Sequence, residues 1–247
     1  MEVKLVARTL DLIEVFAHER RPLSLTELAR LLGIPMSSCL GLIRTLQVRG
    51  YLYEVRKRGG YYPTKRLLVA AARIDSGDPL VSLIEEHLQA LQRHVDETVV
   101  LGKLEGARVL YLCVVESSQP IRYSTRVGEL RPLHANSIGQ AILAGLPEVE
   151  ARAILEGTQM QRFTPLTVTT SADYLARLAP VRERGWSENL GESFDDLAAM
   201  ACAFDFAGQW YAVSIAGPLP RMRQRWHSLP NPLLACIARI RAEIDPS

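Results

Sequence analysis

Ser24-Leu25-Thr26-Glu27-Leu28-Ala29-Arg30-Leu31-Leu32-Gly33-Ile34-Pro35-Met36-Ser37-Ser38, running on to Arg49-Gly50, is the stretch that decides the fold. It reads as two short helices joined by a tight turn. Ser24 stands where it can cap the first helix, and Glu27, three residues on, completes a capping box. Leu25, Leu28, Ala29 and Leu32 then share one helical face. Gly33 supplies the left-handed residue that ends a helix, and Pro35 suits the start of the next. Leu40, Ile43 and Leu46, with Leu42 beside them, form the buried stripe of the second helix. Ser37, Ser38, Gly41, Arg44 and Thr45 fall on or near its outer face, where short hydroxyls and an arginine meet phosphates and base edges.

Downstream, Tyr51-Leu52-Tyr53-Glu54-Val55 alternates like a strand, Arg56 to Gly60 is a basic turn, and Tyr61-Tyr62-Pro63 returns. A hairpin tipped by Arg56, Lys57 and Arg58 is suited to lie against a phosphate backbone as a wing. The competing reading is an ordinary helical hairpin with a solvated charge run, because helix-turn-helix geometry also occurs in proteins that never touch DNA. Charge favours DNA. Residues 1–75 hold 13 Lys and Arg against 7 Asp and Glu, a balance of +6. The other 172 residues hold 16 against 20, a balance of −4. Such asymmetry is what an electrostatic footprint confined to one domain produces.

The 247 residues fit a small head and a larger body, and a hydrophobic fraction of 48% is ample for packed cores. The reading assigns 1–64 to a winged helix-turn-helix domain, 65–78 to a linker helix and 79–247 to an effector-binding domain. No apolar run approaches the roughly 20 residues of a membrane span. Glu2, Lys4, Arg8 and Asp11 break up the layout of a secretory signal. Cys39, Cys113, Cys202 and Cys236 are scattered without metal-like spacing and suggest reduced thiols in the cytoplasm. The fold class expected is α+β, with a mostly antiparallel sheet and flanking helices in the body.

Val6, Leu10, Ile13 and Ala17 recur at helical spacing ahead of the turn motif, and Lys65 to Ile74 forms a further helix. It ends at the punctuation Ser76-Gly77-Asp78-Pro79. Leu80, Leu83, Ile84, His87, Leu88, Leu91 and Val95 open the body as a long amphipathic helix. Thr98–Leu104 and Val109–Val115 read as a hairpin around Glu105-Gly106, with Ile121–Val127 as a third strand. Helices follow over Asn136–Leu146, Pro147–Leu155 and Ala172–Arg184. Late strands span Trp186–Leu190, Ala199–Phe206 and Trp210–Ala216, before a terminal helix over Leu233–Ile244.

These blocks, taken in order, resemble the IclR family of transcriptional regulators over essentially the full length. The matching segments are Val6-Ala7-Arg8-Thr9-Leu10, Leu25-Thr26-Glu27-Leu28-Ala29 and the Leu46 to Tyr51 ending in the head. In the body they are Arg126-Val127-Gly128, Pro132-Leu133-His134-Ala135, Gly139-Gln140-Ala141, Val181 to Trp186, Gly191-Glu192-Ser193 and Ser214 to Pro218. The resemblance implies a GAF-like effector domain, a dimer or tetramer, and double-stranded operator DNA as partner. It also implies a metabolite that alters the grip on DNA or the contact with RNA polymerase. No cofactor, metal or membrane is implied. The candidate DNA surface is then Ser24, Thr26, Met36, Ser37, Ser38, Leu40, Gly41, Arg44, Arg56, Lys57 and Arg58. Similar proteins commonly carry Lys, Ser-Thr and Arg where this chain has Met36, Ser37-Ser38 and Gly41, so two basic contacts are missing and Arg44 lies one turn along.

Asn136, Ser137, Ile138 and Gly139 open a helix whose unpaired N–H groups and dipole favour an anion. The resemblance puts the polar end of the effector there, whereas the residues alone make Asn136 an N-cap. Cys202 and Ser214 match pocket positions of glyoxylate- and pyruvate-responsive relatives, and Glu192, Ser193 and Asp195 lie in a loop at the pocket mouth. Ala216 replaces a second serine, which suggests a larger or less polar effector. A lone strand cysteine is more often a small core residue, and loop acids usually just solvate. Two alternatives stand: a ligand sensor whose head makes protein contacts, and a small-molecule hydrolase built on His134, Ser137 and Asp195. The hydrolase lacks a Gly-x-Ser-x-Gly elbow and any glycine-rich phosphate loop.

Overall fold

A computed structural model describes residues 2–56, 59–75 and 77–245. The chain divides into two compact units between Asp78 and Pro79, each with its own core. The first unit begins with α1 (Lys4–Glu19), α2 (Leu25–Leu31) and α3 (Met36–Val48). The antiparallel pair β1 (Leu52–Glu54) and β2 (Tyr61–Pro63) follows, then α4 (Arg66–Asp75).

The capping box forms in full: the Ser24 hydroxyl accepts from the Glu27 N–H, and the Glu27 carboxylate accepts from the Ser24 N–H at 2.9 Å. Gly33 sits at φ 61° and turns the chain from α2 into α3. Leu28, Ala29, Ile34, Cys39, Leu42, Ile43 and Leu52 close the head core. The bulky buried side chains stabilise it by about 1.5–3 kcal/mol each. Two expectations fail here. α1 buries Leu12 and Phe16, leaving Val6 and Leu10 exposed, because the core takes the opposite face of the helix. Cys39 takes the buried place assigned to Leu40, which is only half-buried. A further pairing, the Leu23–Tyr61 bridge, ties the approach to α2 to the hairpin.

The second unit runs α5 (Pro79–Val95), β3 (Thr98–Glu105), β4 (Arg108–Val115) and β5 (Leu130–Pro132). Then come a 3-10 turn (Leu133–Ala135), α6 (Ser137–Gly145), α7 (Glu148–Glu156) and α8 (Ser171–Arg184). It ends with β6 (Ser187–Leu190), β7 (Leu197–Phe206), β8 (Gln209–Pro218), α9 (Leu219–Gln224) and α10 (Pro230–Ile244). The six strands form one antiparallel sheet in the order β5-β4-β3-β8-β7-β6. Strand side chains alternate between faces. Val99, Leu101, Met200, Cys202, Phe204, Val213 and Ile215 face α5 and α10. Val100, Tyr111, Ala201 and Ala212 face α6. α7 and α8 pack behind α6 through Leu143, Leu155, Tyr174 and Leu178.

The strand expected over Ile121–Val127 is absent, and the third strand is β5 instead. Backbone carbonyls of that segment bond to side chains rather than to a ladder. Thr98 Oγ1 donates to the Tyr123 carbonyl at 2.6 Å, and Arg221 donates to that of Ile121 at 2.9 Å. Ser124 and Arg122 both bind the Glu116 carboxylate. Residues 116–129 therefore form a strap pinned to Thr98, the first residue of β3, and to Arg221. Arg221 is itself held by a bidentate pair with the buried Glu97, 2.6 Å on each arm. α9, which carries Arg221, has no counterpart in the sequence reading.

Candidate functional site

In the head, α3 begins after Pro35, which offers no side-chain cap to the first-turn N–H groups. Met36, Ser37, Ser38, Gly41 and Arg44 are all exposed, as is Thr26 on α2. A helix start without a cap, flanked by two hydroxyls and followed one turn on by a guanidinium, suits phosphate approach. Arg56 is exposed at the end of β1's extension, whereas Lys57 and Arg58 lie outside the described residues. Three expected contributors are otherwise engaged. Ser24 Oγ is spent inside the capping box, donating to Glu27 at 2.7 Å. Leu40 is partly turned toward the head interior. Thr45 Oγ1, on the outer face of α3, donates to the Gly41 carbonyl at 2.8 Å.

In the body, the junction before α6 borders a cavity of about 230 Å³. Its wall comes from five separate segments: Tyr111 of β4, Tyr123 of the strap, Arg131 and Pro132 with Ala135 and Asn136, Phe163, and Ser193 with Phe194. Asn136 organises the polar side. Its Oδ1 caps the Ile138 N–H at 2.9 Å, and its Nδ2 donates to the Tyr111 hydroxyl at 3.0 Å, which lies 3.4 Å from that of Tyr123. Burial pushes the Tyr111 phenol far above its ordinary range, so it stays neutral. Arg131 is the one charged residue in the wall. Its Nη2 donates to Glu129 at 2.7 Å, its Nε is buried with no partner among the described residues, and its guanidinium lies 6.0 Å from the Phe194 ring.

Of the residues expected at the effector site, Asn136 and Ser193 line this cavity and the rest go elsewhere. Ser137 is buried against the sheet, its hydroxyl 3.1 Å from that of Ser214. Ile138 packs from α6 onto the sheet. Gly139 has no room for a side chain, since a Cβ there would meet the Leu133 carbonyl oxygen at 2.4 Å. Cys202 points to the opposite face of the sheet, because it pairs with Val213 while Ser214 pairs with Ala201. Burial drives its thiol up to about 11. Glu192 is buried in an ion pair with Arg177 at 2.8 Å; burial pushes its carboxyl upward against the pull of that arginine. Asp195 is exposed.

The sequence reading missed Tyr111, Tyr123, Arg131, Phe163 and Phe194. Two were within reach of it, because Arg131 adjoins the Pro132-Leu133-His134-Ala135 block and Phe194 lies between Ser193 and Asp195. The hydrolase residues do not assemble. His134 bonds through Nε2 to the Gln161 carbonyl at 2.8 Å and stacks on Phe163, while Ser137 is engaged with Ser214. No cluster of metal-ligating side chains occurs among the described residues.

Comparison with known proteins gives two family matches. Residues 5–56 match the IclR helix-turn-helix domain, and residues 74–242 match the C-terminal domain of the bacterial transcriptional regulator IclR. The chain is similar to the HTH-type transcriptional regulator XynR of Escherichia coli, 28% identical over 199 residues, which is 81% of this chain and 79% of the relative. A transcriptional regulator from Rhodococcus sp. RHA1 superposes with a TM-score of 0.82 at 27% identity, covering 98% of each chain. An IclR homologue from Microbacterium hydrocarbonoxydans, solved in complex with 4-hydroxybenzoate, has a TM-score of 0.79 at 24% identity and covers 98% of this chain and 100% of its own.

Proposed function

The chain belongs to the IclR family of bacterial transcriptional regulators, and from that premise we propose that it grips operator DNA as a self-associated molecule under the control of a small carboxylate-bearing effector. The observation that carries the effector half is the cavity beside α6, whose one charged wall residue among those described is the Arg131 guanidinium. A carboxylate entering beside it gains a charge-assisted hydrogen bond. The bound molecule then alters the hold on operator DNA or the contact with RNA polymerase. The 4-hydroxybenzoate bound by the Microbacterium relative is likewise a carboxylate.

The DNA half rests on the exposed face of α3, on the wing and on the +6 head. With Met36 and Gly41 on the reading face, Arg44 and the wing supply the charge, so tight binding draws on more than one head. Self-association has support of its own: α1 exposes Leu5, Val6 and Leu10, with Val3 exposed just before it, and α4 (a linker in this reading) exposes Leu68, Val69 and Ile74 and buries no residue at all. Apolar surface of that extent calls for a cover, and we assign a second copy of the chain to it. No helix among the described residues is long and apolar enough to cross a membrane, and we place the protein in the cytoplasm with its DNA. No cofactor and no catalytic step enter this reading.

The test is fluorescence anisotropy of the full chain on a DNA fragment from upstream of its own gene and on a scrambled fragment, with and without small carboxylic acids. Preference for the native fragment that a carboxylic acid alters supports the proposal. Equal, weak binding to both fragments would favour a head that contacts proteins instead.

A further inference from the structure

Resting on the effector reading above, we propose that the ligand of the α6 cavity is an aromatic monocarboxylic acid of a single ring, held by Arg131 and walled by Tyr123, Phe163 and Phe194. Size comes first. A volume of about 230 Å³ lies below the roughly 300–1,000 Å³ of sites for drug-sized ligands. One substituted ring fits this scale, whereas a two- or three-carbon acid would leave much of the apolar wall uncovered.

Wall chemistry comes second. Four of the nine lining residues are aromatic, and Pro132 and Ala135 extend the apolar surface. Aromatic walls reward an aromatic guest through burial and through edge or offset ring contacts. Phe194 is half-exposed, and a guest ring would cover part of its surface.

Charge comes third. Arg131 is the single cation among the described lining residues and no carboxylate is among them, so its guanidinium, shared with Glu129 outside the lining, is the one charged group there suited to an acid. Glu129 occupies only Nη2 of the guanidinium, and that pair is partly exposed on both sides, so solvent screens and weakens it. Glu129 also accepts from Thr125 Oγ1, which fixes it to the strap that carries Tyr123. The remaining polar groups, Asn136, Tyr111, Tyr123 and Ser193, are neutral and suit a hydroxyl or amide substituent on the ring rather than a second acid.

Titration calorimetry on the full chain tests this with four probes: benzoate, benzamide, cyclohexanecarboxylate and pyruvate. Benzoate is expected to bind, with benzamide weaker by about tenfold or more for loss of the charge-assisted bond. Cyclohexanecarboxylate is expected to be weaker by several-fold for loss of the ring contacts. Arg131→Gln is expected to bring benzoate down to the level of benzamide while leaving benzamide unchanged. Phe194→Leu, at a half-exposed position that tolerates change, is expected to weaken benzoate and leave cyclohexanecarboxylate nearly unaffected. Pyruvate binding that Asn136→Ala abolishes, with benzoate inert, would overturn the aromatic assignment and leave a small-carboxylate effector standing. Heat from none of the acids would overturn both.

Discussion

Replacing Gly139 with Ala should destabilise the body, and the same replacement at Gly41 should stabilise the head. Both glycines lie in helices at ordinary backbone angles, so by helix propensity alone each change gains about 0.5–1 kcal/mol. Their surroundings differ. At Gly41 nothing lies within 4 Å of the added Cβ, so the propensity gain survives. At Gly139 the Cβ would meet the Leu133 carbonyl oxygen at 2.4 Å and its carbon at 3.1 Å. Both atoms are backbone of the 3-10 turn, so no flexible side chain can yield. Restoring contact requires α6 to back away from the turn, and overpacking of this kind costs about 1–3 kcal/mol. Set against the propensity gain, the net loss at Gly139 centres on about 1 kcal/mol and reaches at most about 2.5 kcal/mol, or roughly 2–10 °C in the melting temperature of a domain of this size. Circular dichroism melts of the two full-length variants measure it. A Gly139→Ala melt equal to or above the parent would refute the close approach of α6 to the turn, and with it the position of the Asn136 cap at the cavity.

Ser24→Ala should cost about 1 kcal/mol of head stability at pH 7 through loss of the cap. The Glu27 carboxylate, held down from 4.5 to about 2 by the Ser24 N–H, Arg21 and the Ser24 hydroxyl, stabilises the folded form above the ordinary carboxylate range. That stabilisation is lost as pH falls through about 2, so the gap between parent and variant should narrow on acidification, and a gap that widens would contradict it. Asn136→Ala removes both the Ile138 cap and the donor to Tyr111, with an expected loss of about 1–2 kcal/mol in urea unfolding. Asn136→Asp, which keeps the cap alone, should recover part of that loss. Val6→Asp with Leu10→Asp should shift sedimentation of the full chain toward the monomer without altering its circular dichroism; an unchanged mass would remove α1 from the self-association surface.

The head was legible because its signals are local. Ser24, Glu27, Gly33 and Pro35 lie within twelve residues of one another, and each acts on its immediate neighbours. α1 shows the limit of periodicity, since Val6 and Leu10 are spaced as regularly as Leu12 and Phe16, and only tertiary packing decides which face is covered. Over Ile121–Val127 the composition is that of a strand, but Thr98 and Arg221, distant in sequence, take the carbonyls a ladder would use. The cavity was legible in its backbone and not in its side chains. Ser193 of the loop over 191–195 and Asn136 at the α6 junction border the cavity. Strand parity turns Cys202 away, and Ser137 and Ser214 satisfy each other. The residues that face the space, Tyr111, Tyr123 and Arg131, come from segments that no spacing rule connects.

Operator recognition itself is tested most directly by the salt dependence of DNA affinity for the full chain, measured by anisotropy on the fragment from upstream of its own gene and on a scrambled fragment. Each cation that displaces a counterion adds about −0.9 to the slope of log affinity against log salt. Arg44 and Arg56, joined by Lys57 and Arg58 from the wing sequence, predict a slope of about −3 to −4 for one head and about twice that for a paired one. The predicted result is a steep slope on both fragments, with tighter binding to the native one at every salt concentration. Weak binding that is flat in salt and equal on both fragments would contradict a DNA-reading head.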